Sequence, residues 1–510
     1  MKPRATFLAL CLAAAGLAFQ PASAEEITVA VGSGFTTLDP YDATDMLSRA
    51  AAKSFYEGLF TFDENMKPVP QLAQSCETSP DGLVYTIKLR PNVKFHDGTT
   101  LDAEAVKLNI DRLLDPANHL SRRTYFTPIE KVEVADPLTV RITLKHPLGT
   151  FLSRLANGTV QMVCPSLLKS GKDVAFNACG TGPYVLQDYN PSERLYVVKN
   201  PNYRVAGLPK LDGILWRPVV ENSTRAAMVR TGEAQFAHPM PAEQIKVLQN
   251  DPKIDILVQP SVIVRYLFIN NLQKPFTDVR VRQAINYAIN KEALAKVAFS
   301  GYARPVTGVV PEVFEFATKP GPWPYDPKKA RELLKEAGYP QGFETVLWSG
   351  YNNTTGQKVI QFIQQQLRQV GIRTTLRSLE AGQRVALVES VQDPMKAGMR
   401  LYYIGWSNST GEIDLAMRPL FHSESWAPAL ANEGFYKNEK VDRLLDEAIA
   451  EPDKAKRAKL YEEVQSTIWN DAPWAFLVTE DVTGASVKTL KNFRLRPDSS
   501  YDFYEAEIVK

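Results

Sequence analysis

Between residues 326 and 376 the chain shows two apolar helical stripes, each ended by a glycine, and after the second a strand-like run. Asp326-Pro327 reads as a helix cap followed by proline at the first helical position, where its missing N–H is not needed. Ala330, Leu333, Leu334 and Ala337 then share one helical face, and Gly338 ends the segment. Ile360, Ile363, Leu367 and Val370 form a second stripe closed by Gly371, and residues 372–376 follow as a strand. Helix, glycine stop and strand in succession point to α/β units with parallel pairing.

The same mixture runs through the rest of the chain. Val84–Leu89 alternates like a half-buried strand, as do Leu138, Val140, Ile142 and Leu144. Asp102 can cap a helix whose Val106, Ile110 and Leu113 lie on one face, after the turn Phe95-His96-Asp97-Gly98. Further helical stripes start at Asp278, at Val441 and after Pro452. At 510 residues the chain exceeds what one core usually serves, so two or more lobes are expected. No internal repeat or low-complexity linker is present, so the lobes are expected to be joined by several crossing segments.

Lys2 and Arg4 precede an almost wholly apolar run from residue 5 to 19, and Ala22-Ser23-Ala24 is an A-x-A site. This order predicts a cleaved signal peptide over residues 1–24, since the run is shorter than the ~20 residues a span needs. Formal charge is +2, and losing Lys2 and Arg4 leaves the processed chain neutral. With no basic block or stripe, nucleic acid is excluded as a partner. Secretion permits disulfides. Cys164 and Cys179 can close a short loop worth about 3 kcal/mol, or remain separate thiols, with Cys76 left over. No G-x-S-x-G elbow or H-E-x-x-H motif occurs, and the five histidines are scattered singly, so neither an enzyme nor a metal site is expected, and no cofactor.

Several short stretches recur in one order: Phe35-Thr36-Thr37-Leu38-Asp39-Pro40, Tyr56-Glu57-Gly58-Leu59-Phe60, Tyr85-Thr86-Ile87-Lys88-Leu89-Arg90, Gly180-Thr181-Gly182-Pro183-Tyr184, Arg225-Ala226-Ala227-Met228 and Val279-Arg280-Val281-Arg282-Gln283-Ala284. In these the chain resembles the family 5 extracellular solute-binding proteins, which serve dipeptide, oligopeptide, nickel and glutathione importers. The likeness is strongest toward the glutathione-importing branch, through Trp216-Arg217-Pro218-Val219, Pro322-Trp323-Pro324-Tyr325-Asp326-Pro327, Ala381-Gly382-Gln383-Arg384 and Gly405-Trp406-Ser407.

The resemblance implies a two-lobed α/β periplasmic-binding-protein fold of type II character with a central cleft. Lobe I is expected over 25–268 plus 480–510, with an extra subdomain at about 60–190, and lobe II over 269–479. It further implies a periplasmic, monomeric binding subunit that closes on glutathione or a related small peptide and hands it to an inner-membrane ABC permease. Dipeptide or oligopeptide binding is the alternative, with nickel or haem behind it.

Glutathione carries two carboxylates and one ammonium, and burying these charges demands paired or hydrogen-bonded partners. Thr181 and Gly182 offer a hydroxyl and backbone N–H groups, or else only a tight turn. Arg384 offers a fork for a carboxylate, or else a solvated helix start. By the resemblance, Thr36, Tyr41, Asp42, Trp406 and Ser407 face the cleft, and Arg265 sits at a hinge crossing. Dipeptide-binding members carry an Asp three residues after this Trp and an Arg in the loop before the helix at 357–370. This chain has Ser409 and Gly350 there, so Glu412 and Asp414 are the nearest replacement carboxylates.

Overall fold

The structure is a computed structural model describing residues 25–43, 45–63, 66–158, 160–408 and 411–509. The expected signal peptide and Ser409 lie outside the described residues. Eleven strands build the main sheet. In chain order they are β1 (Glu26–Val31), β2 (Tyr184–Asn190), β3 (Arg194–Lys199), β4 (Gly213–Pro218), β5 (Phe236–His238), β6 (Ile254–Ile269), β7 (Ala303–Pro305), β8 (Phe343–Ser349), β9 (Ile372–Ser378), β10 (Leu401–Ser407) and β11 (Trp474–Val487). Across the sheet the order is β9, β8, β10, β6, β11, β5, β1, β4, β3, β2, with β7 pairing to β11.

The helix–glycine–strand pattern takes the form expected. Asp326 accepts from the Lys329 N–H to cap the helix Pro327–Glu336, and Asn353 caps Thr354–Gln369 through the Gly356 N–H. Gly338 and Gly371 both adopt positive φ, which a side chain would strain, and each releases its helix toward a strand. The strands β8 and β9 pair in parallel, as do β8 with β10 and β1 with both β4 and β5.

The centre of the sheet differs from that pattern. There β6 and β11, 16 and 14 residues long, run antiparallel to each other. Their register shifts between Pro260 and Val264, where proline has no N–H to offer the ladder. One apolar core gathers residues from 27 to 236 and from 482 to 506, around Val29, Trp216, Phe236 and Phe503. Two others draw on residues 262–478 and lie on opposite faces of β6: Tyr266 and Phe268 join one, Leu267 and Ile269 the other. Both long strands therefore serve cores at either end.

A separate four-stranded antiparallel sheet is built from Ala73–Thr78, Val84–Leu89, Ile129–Asp136 and Thr139–Leu144. The helix Ala103–Leu114, capped by Asp102, buries Val106, Ile110 and Leu113. Cys164 and Cys179 are bonded, with Cα atoms 5.5 Å apart, and Cys76 is free and half-buried. No helix among the described residues is long and apolar enough to cross a membrane.

Candidate functional site

Two cavities border the long strand β6. The first, about 480 Å³, lies between residues 32–47 and the crossing strands, with Ser261, Ile263, Glu480 and Thr483 along its floor. The second, about 380 Å³, lies beyond, walled by Tyr266, Phe268 and Trp406 and edged by Arg384, Glu389 and Glu433. Both volumes suit a small-molecule site.

Arg265 stands between them on β6. Its Nε and Nη2 donate to the two carboxylate oxygens of Glu480, each at 3.0 Å. Its Nη1 donates to the Tyr351 hydroxyl, and its guanidinium sits 4.7 Å from that ring's centroid. The neighbour on β10 is Gly405, and a Cβ there would lie 2.5 Å from Arg265 Nη1. Glycine at 405 is thus what lets the arginine lie flat across the strand. Nearby carboxylate and phenol groups hold the guanidinium well above its ordinary range despite burial.

At the second cavity Trp406 Nε1 and Glu433 Oε2 are buried without a hydrogen-bond partner. Arg384 Nε lies 2.7 Å from Glu389 Oε1 as an ion pair, out of line for a hydrogen bond. Native interiors rarely leave such groups unpaired, which makes this concave space the candidate ligand site. Burial, reinforced by Glu389, pushes the Glu433 carboxyl up to about 8, with Arg384 pulling the other way.

Local structure fixes these groups. The buried Asn432 donates to the His422 and Tyr436 carbonyls and accepts from the Tyr436 N–H. The Asn271 N–H donates to the Gly434 carbonyl, so the loop carrying Glu433 is clamped on both sides. Alternation along β10 puts Tyr402, Ile404 and Trp406 on one face. Arg384 ends the short helix Ala381–Arg384.

The other residues expected from the sequence fall elsewhere. Tyr41 is fully buried and donates to Asn109 Oδ1, 2.9 Å away. Asp42 accepts from the backbone and hydroxyl of Ser121. Thr181 donates to Glu57, whose carboxylate is forked by Arg204, and Gly182 packs so tightly on Phe55 that a Cβ would meet its carbonyl carbon at 2.5 Å. The 180–184 loop is therefore a packing turn. Glu412 is an ion-pair partner of Arg154, at 2.9 Å, and Asp414 pairs with Arg418. Both carboxylates are buried and aimed at their arginines, which corrects the expectation that they replace the missing anchors. Thr36 is exposed and holds Asp45 at the rim of the first cavity, and Ser407 is exposed at the end of β10. Arg265, Arg384 and Trp406 are the expected residues that line or bridge the cavities. At Gly350 a Cβ would lie 2.4 Å from Ile404 Cδ1 and 2.5 Å from Tyr402 Oη, so a side chain there would have to displace those side-chain ends.

Glu433, Tyr402, Tyr351, Glu389 and Glu480 were not expected. Glu433 sits in a loop without periodicity, and Glu480 is one polar residue in a long strand. Neither position carries a pattern that sequence reasoning can use.

Residues 67–428 match the bacterial extracellular solute-binding proteins, family 5. The chain belongs to this family. It is 51% identical over 506 residues to the glutathione-binding protein GsiB of Escherichia coli O1:K1, covering 99% of each chain. With GsiB of Pectobacterium atrosepticum it shares 51% over 489 residues, 96% of this chain and 95% of that one. Among solved structures, the periplasmic binding protein DppA of Helicobacter pylori, in complex with peptide STSA, superposes with a TM-score of 0.75 at 28% identity, over 95% of this chain and 98% of that one. HbpA2 of Haemophilus parasuis gives 0.85 at 24%, over 95% and 100%. The fold is thus the two-lobed α/β architecture of family 5 binding proteins.

Proposed function

We propose that this chain is the periplasmic substrate-binding subunit of an ABC importer, capturing glutathione and passing it unchanged to an inner-membrane permease. One observation carries the reading: partnerless buried polar groups converge on a ligand-sized cavity, in a chain half identical, end to end, to glutathione-binding proteins. Arg384 at the cavity edge supplies a guanidinium for a carboxylate, Arg265, held by Glu480 and Tyr351, adds positive charge beside it, and Trp406, Tyr266 and Phe268 supply an apolar wall. Cleavage after Ala24 releases a monomeric soluble chain. Lobe boundaries near 268 and 480 are supported by the division of the apolar cores, and the shared strands β6 and β11 are suited to act as the hinge.

A thermal-shift panel tests this. Ligand binding to the folded state raises the melting temperature by mass action, about 2.7 kcal/mol at a hundredfold excess over Kd. Reduced glutathione raises it by a few degrees. A rise with dipeptides, oligopeptides, nickel or haem and none with glutathione overturns the assignment.

A further inference from the structure

Glu433 is the feature that the fold does not explain. It is 8% exposed, its Oε2 has no partner, and no lysine or arginine among the described residues forms an ion pair with it. A buried carboxyl in that condition costs stability unless something outside the chain supplies the counter-charge. The loop that holds it is clamped by Asn432 and Asn271, so it cannot swing out to water without breaking several hydrogen bonds. Arg384, the cation that lines the same cavity, is already paired with Glu389. A carboxyl so held faces a space whose lining leaves it no unengaged cation.

The missing cation has a source in the ligand. Glu412 and Asp414, the acids that the sequence offered for it, are consumed by Arg154 and Arg418. We propose that Glu433 is the specificity-determining anchor for the ligand's ammonium group. The inference rests on the reading of the ligand as glutathione and goes beyond it by naming which charge is recognised, by which residue, and with what proton balance.

The groups facing Glu433 set the sign. Glu389 opposes its ionisation from the helical turn 385–389, and Arg384 favours it from the preceding helix. Tyr402 on β10 and Tyr266 on β6 are neutral phenols, pushed upward by burial and by Glu433 itself. In the empty site the carboxyl holds its proton up to about pH 8. A bound ammonium lowers that value, so capture near pH 7.5 releases protons. Binding accordingly tightens as pH rises from 6 toward 8, by up to about tenfold per unit, and then levels off.

The test is calorimetry on the processed chain with glutathione and with its des-amino analogue, glutaryl-cysteinyl-glycine, in buffers of different ionisation enthalpy. Wild type prefers glutathione by at least about thirtyfold at pH 8 and releases protons near pH 7.5. Glu433→Gln loses both the preference and the release while still binding the analogue. Equal affinity of wild type for the two ligands, or no proton release between pH 6.5 and 8.5, overturns the proposal even if the variant does not fold. An unchanged preference in Glu433→Gln overturns it as well. No heat from wild type with either ligand overturns the glutathione reading, and this assignment with it.

Discussion

Glu412→Gln separates a structural role from a ligand-contacting one. Glu412 is 1% exposed and Arg154 8%. Arg154 Nε donates to Glu412 Oε2 at 2.9 Å and Nη2 to Oε1 at 3.3 Å, while Nη1 donates to the Tyr125 carbonyl at 2.8 Å. The pair joins the two ends of the molecule: Phe151 and Leu155 beside Arg154 belong to the core containing Trp216, and Ile413 to the core containing Tyr266. Burial raises the Glu412 carboxyl in spite of Arg154, so the carboxylate itself is not cheap to keep. Removing one charge of a buried pair costs 3–5 kcal/mol because the other is stranded. Here the Tyr125 bond and the easily neutralised glutamate reduce that to about 2–3 kcal/mol. Urea unfolding of the empty protein reads it, and Arg154→Met with Glu412→Met together recovers most of the loss. If Glu412→Gln changes stability by less than about 0.5 kcal/mol, or raises it, the ion-pair account is wrong and a ligand-facing carboxylate returns.

Gly405→Ala drives a Cβ into Arg265 and unseats it from Glu480 and Tyr351; glutathione affinity falls at least tenfold, and unchanged affinity in a titration removes Arg265 from the site. Gly182→Ala meets the Phe55 backbone at 2.5 Å and lowers the melting temperature by several degrees without a specific loss of ligand selectivity. Burial holds the His238 imidazole down at about 4: the unfolded ring takes a proton below about 6.5 and the folded one resists. Its contribution is whole above pH 6.5 and lost as pH falls toward 4, about 3 kcal/mol in all, and His238→Asn flattens that part of a stability profile. Glu433, raised to about 8, has the opposite sign: its contribution is whole below about 4.5 and lost as pH climbs to 8, so Glu433→Gln melts higher than wild type at pH 8 and alike at pH 4.

The outer parts of the sheet were legible because Asp326, Gly338, Asn353 and Gly371 act locally: caps and positive-φ stops follow from side chains within a few residues. The crossing strands β6 and β11 were not, because their residues pair across more than 200 positions and their polar members, Arg265 and Glu480, satisfy each other. The site divides in the same way. Arg384 and Trp406 lie beside glycines and aromatic residues in short motifs that single them out. Glu433 matters only because a distant clamp buries it without a partner. The acids that looked available, Glu412 and Asp414, were already paired with arginines, one of them 258 positions away.

The central claim is that the cavity bordered by Arg384, Trp406 and Glu433 takes up glutathione. Titration calorimetry of the processed chain with reduced glutathione measures this directly. A ligand of about 20 heavy atoms at about −0.3 kcal/mol each predicts one site with a Kd of tens of micromolar or tighter. No measurable heat with glutathione, beside clear saturation by a simple dipeptide, contradicts it.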